Sequence, residues 1–264
     1  MGLLDGKKGL ILNIANDRSI ATYIATHCVK QGATCGYGFL PMGDSAKSER
    51  RVRKAMEEGG FADSWLHPCD VGSDESIDLF FKSAAEKFGK IDFLVHSLAF
   101  ANRDYLKKDE GNFTSTPRAV YTQAVDISAY SLIALTRAAL PLMSDGGSIM
   151  AMTYLGSTQV IPGYNVMGVA KAALESTARY LAYDLGPRKI RVNTISAGAV
   201  RTLSAMAVGG IDEMFTHTER KAPLKRNIDA DEVGKTAVYL LSDLSSGVTG
   251  ENIFVDSGFN IVGL

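Results

Sequence analysis

Cysteine is scarce in this chain of 264 residues, with three copies at Cys28, Cys35 and Cys69. Their number is odd and no two stand in C-x-x-C spacing, so neither a redox pair nor a zinc site is expected, and a reducing cytoplasm fits best. The four histidines are just as sparse, and none lies three or four residues from another. A metal centre is therefore not expected. Neither sign of charge dominates: 28 basic against 29 acidic side chains leave a net charge of −1. That balance removes the electrostatic reason to look for nucleic acid or an anionic membrane as a partner. No apolar run approaches the ~20 residues of a membrane span, and the opening MGLLDGKKGLIL lacks a signal-peptide layout. Also absent is G-x-G-x-x-G after the first strand-like run. The segment LNIANDRSIATYIA has no glycine, and only Gly32 interrupts the stretch from Leu10 to Thr34.

What the chain does have is a regular alternation. Short apolar runs read as strands: KGLILNI, TCGYGF, SWLHPC, DFLVHS, SIMAMT, IRVNTI and NIFVDS. Between them lie helical patterns such as SIATYIATHCVKQG, SIDLFFKSAAEKFG, the long TPRAVYTQAVDISAYSLIALTRAALPLM and ADEVGKTAVYLLS. Strands that are apolar nearly throughout are buried on both faces, as in a parallel sheet covered by helices. No linker, repeat or composition shift divides the chain, so residues 1–264 are expected to form one α/β domain. Ligands in such a sheet bind beyond the carboxyl ends of the strands, where the winding reverses. The chemistry should lie in the segments that follow each strand.

After the first strand, Asn13 and Asn16 are the residues best able to replace glycine at positive φ. Asp17 or Ser19 can cap the next helix, and the backbone N–H groups near Ser19 and Ile20 suit a pyrophosphate. An ordinary capped turn explains the same residues. Asp70, after the third strand, can accept a hydrogen bond from an adenine or simply favour a helix dipole. Ser97-Leu98-Ala99-Phe100-Ala101 follows the fourth strand with small residues, suiting close ligand approach or a tight turn. The sixth strand leads through Ser196-Ala197-Gly198-Ala199 into VRTLSAMAVGGIDEMF. Gly209-Gly210 within that methionine-bearing run suggests a mobile cover over a greasy pocket, spanning about 199–220. An amphipathic helix packed on the core is the alternative.

One spacing stands out. In TYLGSTQVIPGYNVMGVAK, Tyr164 and Lys171 are seven residues apart. The apolar pattern from Pro162 to Leu185 predicts a helix with Pro162 in its first turn. On such a helix both side chains fall on one face, about 10 Å apart along the axis.

These pieces together resemble the short-chain dehydrogenase/reductase superfamily, and within it the bacterial enoyl-acyl-carrier-protein reductases. The likeness runs nearly end to end. It rests on the SIA helix opening, CDV, the VHS strand end, DISAYS, TYLG, YNVMGVAK, IRVNTISAG, RTLSA and VTGENIFVDSG. Most of the superfamily places its tyrosine and lysine four residues apart, and no tyrosine here has a lysine at that distance. The resemblance implies a Rossmann-like doubly wound domain with a seven-stranded parallel sheet. It also implies reduction of the trans-2 double bond of acyl-carrier-protein thioesters in fatty-acid elongation.

By that resemblance Tyr164 donates to the thioester oxygen, Lys171 binds the nicotinamide ribose, and Tyr154 belongs to the substrate pocket. Asn13, Ile14, Ser19 and Ile20 would meet the pyrophosphate side, and Asp70 and Val71 the adenine. Ser97 and Leu98 would lie by the ribose, and Val200, Arg201, Thr202, Leu203 and Ser204 at the nicotinamide end. Ala99, Ala101, Met206, Val208 and Ile211 would face the acyl chain. NADH is the expected cofactor, with NADPH the alternative through Arg50, Arg51, Arg53 and Lys54, which otherwise form a solvated helix face. A cytoplasmic homotetramer is implied. Three departures stand out: Asn13 and Ala99 occupy usual glycine positions, and Gly209, Asp212 and Glu213 replace basic residues that some relatives turn to the acidic carrier. Lys221, Lys225 and Arg226 are candidate replacements. A carbonyl/alcohol dehydrogenase and a non-catalytic nucleotide-binding protein are the alternatives to the reductase.

Overall fold

Side-chain alternation decides the layering of this protein. Along the first strand, Leu10 and Leu12 enter one core while Ile11 enters the other, as the two-residue period of a strand requires. Leu94 opposes Phe93 and Val95 in the same way, as Ile149 and Ala151 oppose Met150 and Met152. Both sheet faces are therefore apolar, and both need helices to cover them.

The computed structural model describes residues 1–43, 45–202, 205–207 and 211–263. Its strands are β1 (Lys8–Leu12), β2 (Thr34–Phe39), β3 (Trp65–Pro68), β4 (Phe93–His96), β5 (Gly147–Thr153), β6 (Ile190–Ala197) and β7 (Asn252–Val255). They form one sheet in the order β3-β2-β1-β4-β5-β6-β7, and every neighbouring pair is parallel. Helices α1 (Ile20–Lys30) and α2 (Ser45–Glu58) cover one face together with α8 (Ala230–Leu241). The opposite face carries α3 (Asp74–Phe88), α4 (Arg118–Val125), α5 (Ser131–Ala139) and α6 (Val166–Leu185). A further helix, α7 (Ile211–Lys221), follows the segment after β6. The seven strands and the doubly wound arrangement agree with the sequence reading.

Two helices depart from it. The long pattern over 116–143 is not one α-helix, because a π-helical turn at Asp126–Tyr130 separates α4 from α5. The helix expected from Pro162 begins only at Val166. Gly163 at φ 83° and Asn165 at φ 43° bracket Tyr164, and a right-handed helix cannot run through either value. Tyr164 therefore stands in a turn ahead of α6, while Lys171 stands on the helix. The one-face, 10 Å geometry does not hold.

Candidate active site

The winding reverses between β1 and β4, so the loops after these two strands border the crevice where a doubly wound sheet takes its ligand. Asn13 builds the first of them. Its φ of 72° lies in the left-handed region that asparagine tolerates. Its backbone N–H donates to the Gly38 carbonyl at 2.8 Å, and its Nδ2 donates to the Ser97 carbonyl at 2.9 Å. One residue thus ties the ends of β1, β2 and β4.

The start of α1, like those of α4 and α6, has no side-chain cap. Ser19 occupies the N-cap position, but its Oγ accepts from the Asn16 N–H at 3.1 Å rather than from the first helical turn, which also lacks an acidic residue. Helix α3 is capped by Ser73, and α8 by a full capping box between Asp229 and Glu232. The Thr22 N–H donates to the Ser19 carbonyl at 2.9 Å, so the N–H groups of Ile20 and Ala21 are the ones left for an anion, with the helix dipole favouring one. A dinucleotide's pyrophosphate fits that terminus.

In front of these loops lies a cavity of about 710 Å³. Ile20 and Met42 line it on the nucleotide side, and Ala197 to Val200 with Thr202 at the end of β6. Ala99, Phe100, Ala101 and Leu106 form the wall after β4, where the π-helical turn points Ser128 at the backbone of Phe100, its Oγ accepting from the N–H at 3.0 Å. Asn165 fastens the outer part of that wall. Its Nδ2 donates to the carbonyls of Tyr105 and Lys107 and to Asn112 Oδ1, all within 3.1 Å.

Tyr154 and Tyr164 meet on the opposite wall, edge to face, with ring centroids 4.9 Å apart. Burial pushes the Tyr154 phenol up to about 12. The Tyr164 phenol is pushed up further, by burial first and then by Tyr154 and Glu175. Both hydroxyls are thus protonated near neutral pH and can donate. Gly156 makes room for this pair, since a Cβ there would lie 2.4 Å from the Tyr164 ring. Gly156→Ala is expected to displace Tyr164, with overpacking costing roughly 1–3 kcal/mol in stability and turnover falling about 10²-fold through misplacement. Melting and turnover assays check this, and wild-type turnover in the variant would show that the position of Tyr164 is not critical.

Lys171, on α6, is only 4% exposed. Its Nζ donates to the carbonyls of Met152 at 2.8 Å and Leu98 at 3.2 Å, leaving one of its three N–H donors for a ligand. Burial lowers its pKa to about 8, and Glu175 opposes the fall. His96, at the end of β4, is fully buried with Nε2 on Ser131 Oγ at 2.7 Å. Burial, and then the charge of Lys171, lower its pKa to about 3, so the imidazole is neutral.

The cavity wall gathers Ile20, Ala99, Ala101, Tyr154, Tyr164, Val200 and Thr202 from the residues expected at the site. Asn13, Ile14, Ser97, Leu98 and Lys171 stand behind the wall as its supports. Asp70 is exposed, and one of its oxygens is used by its own turn, Oδ1 accepting from the Gly72 N–H at 2.9 Å. Val71 beside it is nearly buried in the core under α3. Two expected residues are placed elsewhere. Met206 is 56% exposed and not on the wall, and Arg201 turns outward, over the Phe215 ring and onto Asp212 at 3.0 Å. Leu203, Ser204, Val208, Gly209 and Gly210, and the Ile211 side chain, lie outside the described residues.

The segment after β6 contributes Ala205 and Met214 to the cavity, and Glu213 on α7 pairs with Lys108. Of the proposed basic replacements, Arg226 is already engaged in a bidentate pair with Glu232. Arg50, Arg51, Arg53 and Lys54 are exposed on α2, where Arg53 pairs with Glu49 and Lys54 with Glu58. Met42, Arg103, Leu106, Gln123 and Met167 also line the cavity. The sequence reading missed them. Met167, three residues past Tyr164, carried the one legible signal.

The strand order and the crevice at its switch point define a doubly wound dinucleotide-binding protein of the Rossmann kind. Residues 14–260 match the family model described as Enoyl-(Acyl carrier protein) reductase, and the chain belongs to that family. It is 50% identical over 266 residues to the NADH-dependent enoyl-[acyl-carrier-protein] reductase FabI of Synechocystis, covering 99% of both chains. It is 48% identical to the NADPH-dependent FabI of Staphylococcus aureus, covering 98% of both. Among solved structures, the Bacillus cereus reductase with NADP+ and indole naphthyridinone superposes over 100% of both chains, with a TM-score of 0.94 and 46% identity.

Proposed function

We propose that this protein reduces the trans-2 double bond of enoyl-acyl-carrier-protein thioesters in fatty-acid elongation, using NADH, with NADPH as the alternative. The observation that carries the reading is the Tyr154–Tyr164 pair in a largely apolar cavity at the switch point, with buried Lys171 bonded to the Met152 carbonyl two residues before Tyr154. Family membership supports it, as do relatives named for either cofactor.

The nicotinamide cofactor, when bound, supplies the hydride that the β-carbon receives. The protein's part is to hold and polarise. The open terminus of α1 takes the pyrophosphate, and Lys171 offers its remaining N–H to the ribose. Negative charge develops on the thioester oxygen as the β-carbon receives hydride, and a proton drawn from solvent then completes the α-carbon. A neutral phenol aimed at that oxygen stabilises the charged state more than the ground state, which is the catalytic difference. Tyr164 fills this role because burial keeps its proton in place. Tyr154 packs on its ring and fixes its direction. Ala101, Leu106, Met167 and Met214 surround the acyl chain and keep water from it.

The test is a spectrophotometric assay on trans-2-enoyl thioesters of increasing length, run with NADH and NADPH in parallel. Each buried methylene contributes about 0.8 kcal/mol, or roughly fourfold in efficiency. Catalytic efficiency should climb from four carbons towards medium length and then level off. Greater activity on a simple ketone or alcohol than on any enoyl thioester would discard the assignment in favour of a carbonyl reductase.

The enzyme is further read as a cytoplasmic homotetramer. No described helix is long and apolar enough to cross a membrane. The outer faces of α4, α5 and α6 expose Tyr121, Ile133, Tyr180 and Tyr183, the last at 88%. Aromatic side chains so exposed on neighbouring helices suit a closed symmetric assembly. Sedimentation at micromolar concentration should give four protomers, and a stable monomer would refute this.

A further inference from the structure

Two buried charges lie one helical turn apart on the inner side of α6. Lys171 is 4% exposed and Glu175 is 6% exposed. Each is held by the end of β5 rather than by the other. The Met152 carbonyl accepts from Lys171 Nζ at 2.8 Å, and the hydroxyl of the next residue, Thr153, donates to Glu175 Oε1 at 2.6 Å. Thr153 is buried, lines the cavity and immediately precedes Tyr154. A lysine four residues ahead of a glutamate is also the weaker order for stabilising a helix. Helix stability therefore does not account for the pair. Nor is the acid needed as a cap or at a surface, and burying a carboxyl is costly unless something offsets it.

We propose that Glu175, aimed by the Thr153 hydroxyl, is a positioning residue that supplies the counter-charge holding Lys171 as an ammonium within the cofactor site. The proposal rests on the reading of Lys171 as the cofactor's ribose anchor. The other groups that face or flank this lysine do not supply the charge. His96 on β4 is neutral, and the Tyr154 and Tyr164 phenols keep their protons. Arg191 on β6 is turned to the carbonyls of Val248, Leu240 and Ser242. The π-helical turn against α6 carries Asp126, part-exposed, and Tyr130, exposed and engaged with Arg137. Glu175 is the group whose charge opposes the loss of the Lys171 proton on burial.

The sign follows directly. Burial favours the neutral amine and the carboxylate favours the ammonium, so removing the carboxylate makes Lys171 lose its proton at lower pH. NADH affinity that depends on the ammonium must then fail at lower pH too. The experiment is a fluorescence titration of NADH binding from pH 6.5 to 9.5 on the parent, Glu175→Gln, Lys171→Met, Thr153→Val and Thr153→Ser, with a melting curve for each. The parent should lose affinity with a midpoint near 8, the value that burial, opposed by Glu175, gives Lys171. Glu175→Gln keeps shape and an acceptor for Thr153, and its midpoint should fall by roughly one unit. Thr153→Val should shift the midpoint the same way by less, and Thr153→Ser should restore it.

An unshifted or raised midpoint in Glu175→Gln overturns the proposal, whatever happens to its melting temperature. If that variant does not fold, Thr153→Val decides: parental behaviour there overturns the proposal equally. Affinity unchanged in Lys171→Met would instead sink the ribose-anchor reading itself, which separates the two failures.

Discussion

Tyr164→Phe is expected to lower turnover on an enoyl thioester by ~10²–10³, the usual cost of removing one donor from a developing oxyanion. The substitution takes a single hydroxyl and leaves the ring, so the edge-to-face packing on Tyr154 and the fit over Gly156 survive. NADH affinity should change little, because Lys171 keeps its bonds to Met152 and Leu98. The loss should fall on turnover rather than on the Michaelis constant, as befits an interaction made mainly in the transition state. It should also be nearly independent of pH between 6 and 9. Burial holds the Tyr164 phenol well above its ordinary range, so the parent's donor is not titrated there. Near-parental turnover, with hydride transfer shown to be rate-limiting, would remove Tyr164 from this role.

Much of this site is legible in the sequence because the features are local. Strand alternation can be read residue by residue, and it places β1 to β7 in the right segments. The tolerance of Asn13 for positive φ is a property of the asparagine itself, and the structure has it at 72°. The Tyr164–Lys171 spacing draws attention to a tyrosine on the cavity wall and a lysine buried at the end of β5. The geometry first attached to that pair is wrong, because an apolar pattern running from Pro162 to Leu185 conceals what Gly163 and Asn165 do to the backbone. A periodicity count weighs side chains and is blind to two residues of positive φ. The π-helical turn escapes as well, since the extra residue per turn leaves no compositional mark.

Residues brought in from distant segments were the least legible. Leu106 and Gln123 line the cavity through tertiary packing and nothing in their neighbourhoods announces it. Asn165 joins the wall after β4 to the start of α6 across more than fifty residues of chain. Asp70 shows the opposite case. Both a ligand and a turn fit the bare sequence, and its own Gly72 N–H takes one oxygen. Glu175 would pass for an ordinary helix-face acid until its burial beside Thr153 is seen.

Replacing Lys171 by Met should weaken NADH binding by about 10- to 100-fold. A hydrogen bond from a charged group is worth roughly 1.5–3 kcal/mol, and each 1.4 kcal/mol is about tenfold in affinity. Turnover should fall alongside, because a nicotinamide ribose left unheld lets the reacting carbons drift apart. Met preserves length and fills the same volume, so the effect is one of charge and donors rather than of a cavity. The folded protein should survive the change. The Lys171 pKa in the folded state, about 8, lies below its ordinary 10.5. Burying the ammonium therefore costs stability below pH 8, and the cost fades as pH rises towards 10.5. Removing the lysine relieves that cost but leaves the Met152 and Leu98 carbonyls without their donor and buried Glu175 without its counter-charge, and stripping one partner from a buried pair costs roughly 3–5 kcal/mol. A folded variant with a lowered melting temperature at pH 7, together with the loss of NADH affinity, would place the lysine's role in the cofactor site. Unaltered affinity across pH 6.5–9.5 would mean that Lys171 serves only to join α6 to the ends of β4 and β5.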